Sequence, residues 1–350
     1  MGAELVEKIL SFLLSLITVI FPLTGSLNEN AEFTTKNGDP ALYGCLISDV
    51  HVDYRDKINV GEMKAGFKNL REAENEVDVV LVDGDLTIYG DIMSLEAFYD
   101  AMAYSPAKSN VIVAGNHDIG HVNSTETGAP VDPRFCDENG NKLDKSEQDK
   151  IKAREDLISY YNDFEGTDFD KIYYSYEVNG YTFIVLGDEG NDHWDAITIS
   201  QEQLQWLDEE LAKATADGKP VFVCCHWPVE GTIGEETVWD GNAIEKSEAD
   251  VHSILKNYEN VFFFNGHLHS GINDNIVFGD VFGFRWVETY DGVTYVSLPS
   301  YCQLNRYGVM WPGVGVMMEV YEDQICFRPR ALVTGMWYSS YEYSVPLVTD

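Results

Sequence analysis

The chain has 350 residues, 45% of them hydrophobic, which is enough apolar material for a full core and excludes a wholly disordered polymer. Its 59 acidic residues against 23 basic ones give a formal net charge of −36, a field that opposes nucleic-acid polymers and anionic lipid and repels an anionic substrate unless positive charge is concentrated locally. The six cysteines (Cys45, Cys136, Cys224, Cys225, Cys302 and Cys326) are scattered with no CxxC spacing, so they read as buried thiols rather than a zinc knuckle or a disulfide scaffold.

In chain order, the first feature is the apolar run of residues 9–23, followed by small and polar residues. This has the length of a signal-peptide core and is short for a membrane span, which needs about 20 apolar residues. The flank carries Glu4, Glu7 and Lys8 and so lacks the usual positive charge. Residues 1–26 are expected to be a signal peptide, making the protein extracytoplasmic or secreted, with a membrane-associated helix as the alternative. Residues 27–40 read as a linker and 41–345 as the folded domain.

Within that domain, six apolar runs end abruptly in polar residues: ALYGCLISDVH, VDVVLVDGD, NVIVAGNHD, YTFIVLGDE, KPVFVCCHWP and NVFFFNGHLH. Short runs of this kind suit strands buried on both faces. Helical patterns lie between them. VGEMKAGFKNLREAENE spaces Met63, Phe67 and Leu70 at helical intervals, and SQEQLQWLDEELAKATADG opens with Ser200 and Gln203 in a capping-box pattern. KSEADVHSILKNYEN is similar, with His252 expected at the surface. The alternation predicts an α/β fold. Towards the C-terminus the runs shorten into an antiparallel pattern, predicting a second sheet packed on the first. Residues 119–172 interrupt the scheme as a polar insertion, with a hairpin turn at Asn139–Gly140. Asp137, Asn139 and Asn141 imitate a calcium loop, but Lys142 and Gln148 stand where such a loop needs Gly and Glu.

Residues able to bind metal recur at the ends of the buried strands: Asp49 and His51, Asp85, Asn116 and His117, His226, and His267 and His269. The carboxyl edge of such a sheet is where ligands bind. A lone histidine there is most often structural; five of the chain's eight histidines in one edge pattern, joined by carboxylates, argue for a metal centre. Asp49 and His51, two apart, would share a side of an extended strand. Gly84, Gly115 and Gly266 precede Asp85, Asn116 and His267, permitting sharp exits and close approach.

These blocks, Asp49-x-His51, Gly84-Asp85, Gly115-Asn116-His117-Asp118, His226 and Gly266-His267-x-His269, resemble in order and strand context the signature of the calcineurin-like metallophosphoesterases. The resemblance covers roughly residues 41–300. It implies a four-layer α/β/β/α sandwich of two packed mixed sheets, two metal ions, and hydrolysis of phosphate esters by a metal-bridged hydroxide. By the same resemblance, one metal takes Asp49, His51, Asp85 and His269, and the other takes Asp85, Asn116, His226 and His267. His117 is then the catalytic imidazole, with Asp118 orienting it or serving the structure. His51 departs from the purple acid phosphatase variant, which uses a tyrosine ligand.

Two metal ions would supply the local positive charge that the acidic surface lacks. Mixed nitrogen and oxygen ligands suit manganese, iron, zinc or cobalt better than calcium, as divalent or mixed-valence pairs. Asp83 and Asp188 also end strands and read as supporting or capping residues. Tyr89, His121, His193, Trp194 and Arg306, with Trp227 and Tyr301, are candidates to line the mouth, although aromatics in such places more often pack loops. The expected substrate is a small phosphoester, with diesters favoured. Small monoesters, or a non-catalytic metal-binding surface role, are the alternatives.

Overall fold

In the computed structural model, the described residues are 35–71, 76–119, 147–189, 196–239, 241, 243–244, 250–272, 284–308 and 312–349. The leader 1–26, most of the linker, the Asn139–Gly140 turn and the calcium-loop look-alike lie outside them.

The apolar runs form strands as their composition predicts. Strands β1 (Leu42–Ile47), β2 (Val79–Asp83) and β3 (Ser109–Val113) are almost wholly buried and pair in parallel. Strands β4 (Tyr174–Val178), β5 (Tyr181–Val185), β6 (Val221–Cys224) and β7 (Val261–Asn265) belong to a second sheet, in which β5, β6 and β7 are parallel. Parallel pairing aligns the carboxyl ends within each sheet: Ile47 faces Val82 and Asp83 faces Val113, while Val185, Cys224 and Phe264 stand side by side.

The C-terminal strands differ from expectation. Strands β9 (Val287–Tyr290) and β10 (Val293–Ser297) complete the second sheet, whose order is β4-β5-β6-β7-β10-β9. However, β12 (Val314–Val320) and β13 (Gln324–Ala331) return to the first sheet rather than building one of their own. There β12 pairs antiparallel with β1, and β14 (Met336–Trp337) and β15 (Tyr343–Pro346) pair with β13. Both sheets are therefore mixed. The reason is burial: β1, buried on both faces, needs a partner on its second edge, and the apolar β12 supplies one. Between these come the two-residue strands β8 (Gly271–Ile272) and β11 (Tyr307–Gly308), paired in parallel.

The sheets pack face to face. The Phe327 ring of β13 lies 6.0 Å from both Phe262 and Phe264 of β7. Each fully buried phenylalanine contributes about 1.5–3 kcal/mol. Helices cover the outer faces. Helix α1 (Lys57–Arg71) buries Met63, Phe67 and Leu70 as their spacing predicts, and packs against α2 (Ile92–Met102), which Asp91 caps. Helix α4 (Gln201–Ala214) lies on β5, with Ser200 Oγ accepting the Gln203 N–H at 3.1 Å. The reciprocal half of a capping box is replaced, because the Gln203 amide instead exchanges two bonds with the Gly187 backbone. Short helices α5 (Glu235–Trp239) and α6 (Val251–Leu255) follow.

Two expectations are corrected here. Part of the polar insertion is helix α3 (Glu147–Glu165), which docks on β3 by burying Leu157 and Tyr161, with Tyr161 donating to the Asn110 carbonyl at 2.9 Å. Its apolar pair at i, i+4 was masked by the polarity of the segment as a whole. His252 is half-buried rather than on the surface: its Nδ1 lies 2.6 Å from the Tyr295 hydroxyl and its ring stacks on Tyr290.

Candidate metal centre

The polar residues that follow β1, β2, β3, β6 and β7 meet at one place, at the aligned carboxyl edges of the two sheets. They do so through turns. Asp49, His51, Asp85, His267 and His269 all have left-handed backbones, with φ of 52°, 44°, 48°, 66° and 44°. They are five of the nine non-glycine residues with positive φ among the described residues. Such conformations cost about 1–3 kcal/mol each and cluster where function requires them. The expectation that Asp49 and His51 align by strand alternation is thus corrected. Both lie beyond the end of β1, and the turn aims them together, held by Asp49 N–H to Gly84 O and His51 N–H to Asp85 O.

The side chains converge tightly. His269 Nε2 lies 3.0 Å from Asp49 Oδ1 and 3.0 Å from His51 Nε2. His51 Nε2 is 3.6 Å from Asp85 Oδ2, and His226 Nε2 is 3.2 Å from the same oxygen. Two overlapping groups result, Asp49–His51–Asp85–His269 and Asp85–His226–His267, with Asp85 in both. Asn116 is buried beside Asp85's loop. Its Oδ1 and the Nε2 of His267 have no hydrogen-bond partner, and His226 Nε2 faces the Asp85 carboxylate. Buried orphan atoms of this kind are costly unless something binds them. Two unsatisfied atoms and a third turned onto a carboxylate, a set of nitrogen and oxygen donors, have the chemistry of cation ligands. His117 and His269 are about a quarter exposed and the other members are buried, so the opening lies on the side of those two rings.

The electrostatics agree. Burial pushes the His51 and His267 imidazoles down to about 3, keeping them neutral as metal ligands must be. At His226 burial also opposes the cation, but Asp85 and Asp49 outweigh it and raise the ring to about 10. Burial likewise penalises the Asp49 carboxylate, yet His269 and His226 hold it down at about 2. Asp85 is held well below the usual carboxylate range by His226 and His117 against the same penalty. The two buried carboxylates thus concentrate negative charge at a place where a bound cation would balance it.

Surrounding groups fix this geometry. His226 Nδ1 donates to the Asp83 carbonyl at 2.7 Å, which turns Nε2 inward. Asp49 Oδ2 accepts from Ser48 Oγ at 2.6 Å and from the His267 N–H at 3.2 Å, tying the two sheets together. At Gly84 and at Gly266 a side chain has no room. A Cβ on Gly84, itself at φ 83°, would lie 2.3 Å from the His226 ring, and one on Gly266 would lie 1.8 Å from Ser48 Oγ. Asp83 supports the site through its backbone; its carboxyl group has no partner, and burial pushes it well above the usual range. Asp188 is buried at the end of β5.

For Asp118 the contacts are those of the structural alternative. Its carboxylate accepts from the backbone N–H groups of Leu86, Thr87 and Gly115 and from the Thr87 hydroxyl, at 2.8–3.0 Å. It pins the loops after β2 and β3 together. The imidazole of His117 is held instead by the Ile88 carbonyl, 2.7 Å from Nδ1, with Nε2 3.9 Å from Asp85 Oδ2.

Among the mouth candidates, Tyr89 follows Ile88 and lies under the Arg55 guanidinium at 5.7 Å. Arg306 is at the rim, its N–H bonded to the His269 carbonyl at 2.9 Å. Trp227 and Tyr301 do not line the mouth: both are buried, Trp227 edge-on to His226 and Tyr301 donating to the Glu62 carbonyl. His121, His193 and Trp194 lie outside the described residues. One rim residue escaped the sequence reading: Trp239, whose indole lies parallel to the His267 ring at 5.5 Å. A tryptophan alone in the polar stretch GEETVWDG was the available signal.

The model of the family described as calcineurin-like phosphoesterase matches residues 45–271. No curated protein matches the sequence. Among solved structures, a dimetal phosphatase from Danio rerio superposes with a TM-score of 0.57 at 15% identity, covering 89% of this chain and 100% of that one. A purple acid phosphatase from yellow lupin, Lupinus luteus, gives 0.51 at 13% identity, over 88% of this chain and 55% of that one. GAP50 of Plasmodium, described as the anchor in the inner membrane complex, gives 0.50 at 12%, over 88% and 90%. At these identities the likeness is one of fold.

Proposed function

The chain belongs to the calcineurin-like phosphoesterase family and is a phosphoric ester hydrolase, and from that premise we propose that it hydrolyses small phosphodiesters at a centre of two transition-metal ions. The convergence of buried nitrogen and oxygen ligand atoms around Asp85 carries this reading. Asp49, His51, Asp85 and His269 would hold one ion, and Asp85, Asn116, His226 and His267 the other. When bound, such ions supply Lewis acidity, lowering the pKa of water and neutralising phosphoryl oxygens. The nitrogen and oxygen donors favour manganese, iron, zinc or cobalt.

The protein's own groups do the rest. His117 Nδ1–H is committed to the Ile88 carbonyl, so the proton that the imidazolium can deliver to a leaving oxygen is the one on Nε2. The Asp118 carboxylate keeps the loop carrying Ile88 in place.

The preference for diesters rests on charge. A net charge of −36 repels a monoester dianion about twice as strongly as a diester monoanion, within the reach of screening. The nearby cation Arg55 does not offset this, because its guanidinium grips Asp53. The test is kcat/KM for bis(p-nitrophenyl) phosphate against p-nitrophenyl phosphate, after chelation and re-addition of each metal. The reading expects chelation to abolish turnover, metal to restore it, and the diester to lead. A faster monoester would overturn the diester preference, and full activity in the chelated protein would overturn the metal assignment.

A further inference from the structure

Among the described residues Trp239 is one of eight large apolar side chains left exposed, at 39%. Its indole is within 13° of parallel to the His267 imidazole. The indole thus offers a flat, partly exposed surface next to a ligand candidate of the centre.

The surrounding backbone holds that ring in place. Helix α5 has five residues, too few to be stable alone. It is preceded by Ile233, a β-branched residue with φ 51°, a conformation such residues seldom adopt. Ile233 is fixed on both sides: its N–H donates to Glu288 and its carbonyl accepts from the Arg285 N–H at 2.8 Å. The Gly231 N–H donates to Glu235 at 2.9 Å. From the other side, the β8–β11 ladder and the Arg306–His269 backbone bond place Arg306, whose guanidinium donates to the Val238 carbonyl at 2.8 Å.

A second tryptophan shows what a purely structural ring looks like. Trp337 lies under the guanidinium groups of Arg328 and Arg330 at 4.1 and 4.4 Å. Arg306 stands 5.7 Å from the Trp239 centroid, near the outer limit of a cation–π contact. Among the described residues no carboxylate pairs with Arg306, in a chain where acidic residues outnumber basic ones 59 to 23.

We propose that Trp239 is a specificity-determining platform for a planar aromatic group on the phosphoester, with Arg306 meeting the anionic phosphoryl oxygens beside it. This inference deepens the phosphoester reading and rests on it. The natural substrate class is then an ester carrying an aryl or nucleobase-like ring, rather than one carrying only alkyl groups.

The test uses three non-hydrolysable ligands that share a head group: phenylphosphonate, cyclohexylphosphonate and methylphosphonate. Their affinities for the metal-loaded full chain are measured by calorimetry and by inhibition. Wild type is expected to bind the phenyl ligand about 3–10-fold more tightly than the cyclohexyl one, the range of a stacking contact beyond simple burial. Trp239→Leu removes that preference and Trp239→Phe retains most of it. Arg306→Gln weakens all three ligands alike, by about fivefold. Equal binding of phenyl and cyclohexyl ligands by wild type, or a phenyl preference that survives in Trp239→Leu, overturns the platform. Methylphosphonate binding together with ester turnover shows that the phosphoester reading stands even then. If no phosphonate binds and no ester is cleaved, both fail together.

Discussion

The first sheet delivers both carboxylates of the centre, Asp49 and Asp85, together with His51, Asn116 and His117; the second delivers imidazoles, His226, His267 and His269. Neither half is sufficient. The carboxylates are buried and would be stranded without a counter-charge, which costs several kcal/mol per ion. The imidazoles alone carry no charge to balance a dication. Among the contacts that join the halves are the His267 N–H on Asp49, His226 Nδ1 on the Asp83 carbonyl, and the close packing of Gly266 on Ser48. The comparison teaches that the centre is built where the carboxyl edges of the two sheets meet, with Asp85 the residue that both groups of ligands share.

The change expected to break this arrangement most severely is Asp85→Asn. It keeps the shape and removes the shared charge. Turnover of bis(p-nitrophenyl) phosphate in the presence of added metal should fall well beyond the 10–100-fold typical of a residue that only supports a ligand. A loss inside that range would move the shared role to another carboxylate.

His117→Ala tests the first sheet's contribution that is separate from metal binding. Metal content should stay near wild type while turnover drops about 10²–10⁴-fold, the range of a positioned acid–base group. An ester with a poor leaving group should suffer more than an activated one. Equal, unchanged rates on both would remove His117 from proton transfer.

Asp83→Asn is the mildest of the three and sharpens the distinction between carboxylates. Only the backbone carbonyl of Asp83 engages the site, and that group survives the substitution. Metal should be retained, with activity reduced by at most about 10–100-fold. Loss of a metal ion in this variant would show that the Asp83 carboxyl group itself takes part.

Much of this was legible in the sequence, for particular reasons. Buried parallel strands are uninterrupted apolar runs, so the six strand ends, and the polar residues on them, stand out in the sequence. What did not show was whatever depends on how distant segments meet. The left-handed turns at Asp49, His51, Asp85, His267 and His269 follow no residue preference strong enough to read, because aspartate and histidine, although enriched in that conformation, adopt it at only a small share of their positions. Asp118 sits beside His117 in sequence, yet its carboxylate is bound to the backbone of the neighbouring loop. Trp227 and Tyr301 look like rim aromatics and are core. Trp239, distant in sequence from each strand-end motif, comes to His267 only through the folding of its loop.

The central claim, one centre of two ions shared through Asp85, is tested most directly by elemental analysis of metal bound per chain, in wild type and in Asp85→Asn, after saturation and removal of free metal. The account predicts two equivalents in wild type and fewer than two in the variant. A wild type that saturates at one, or an Asp85→Asn variant that keeps two tightly bound ions, would contradict it.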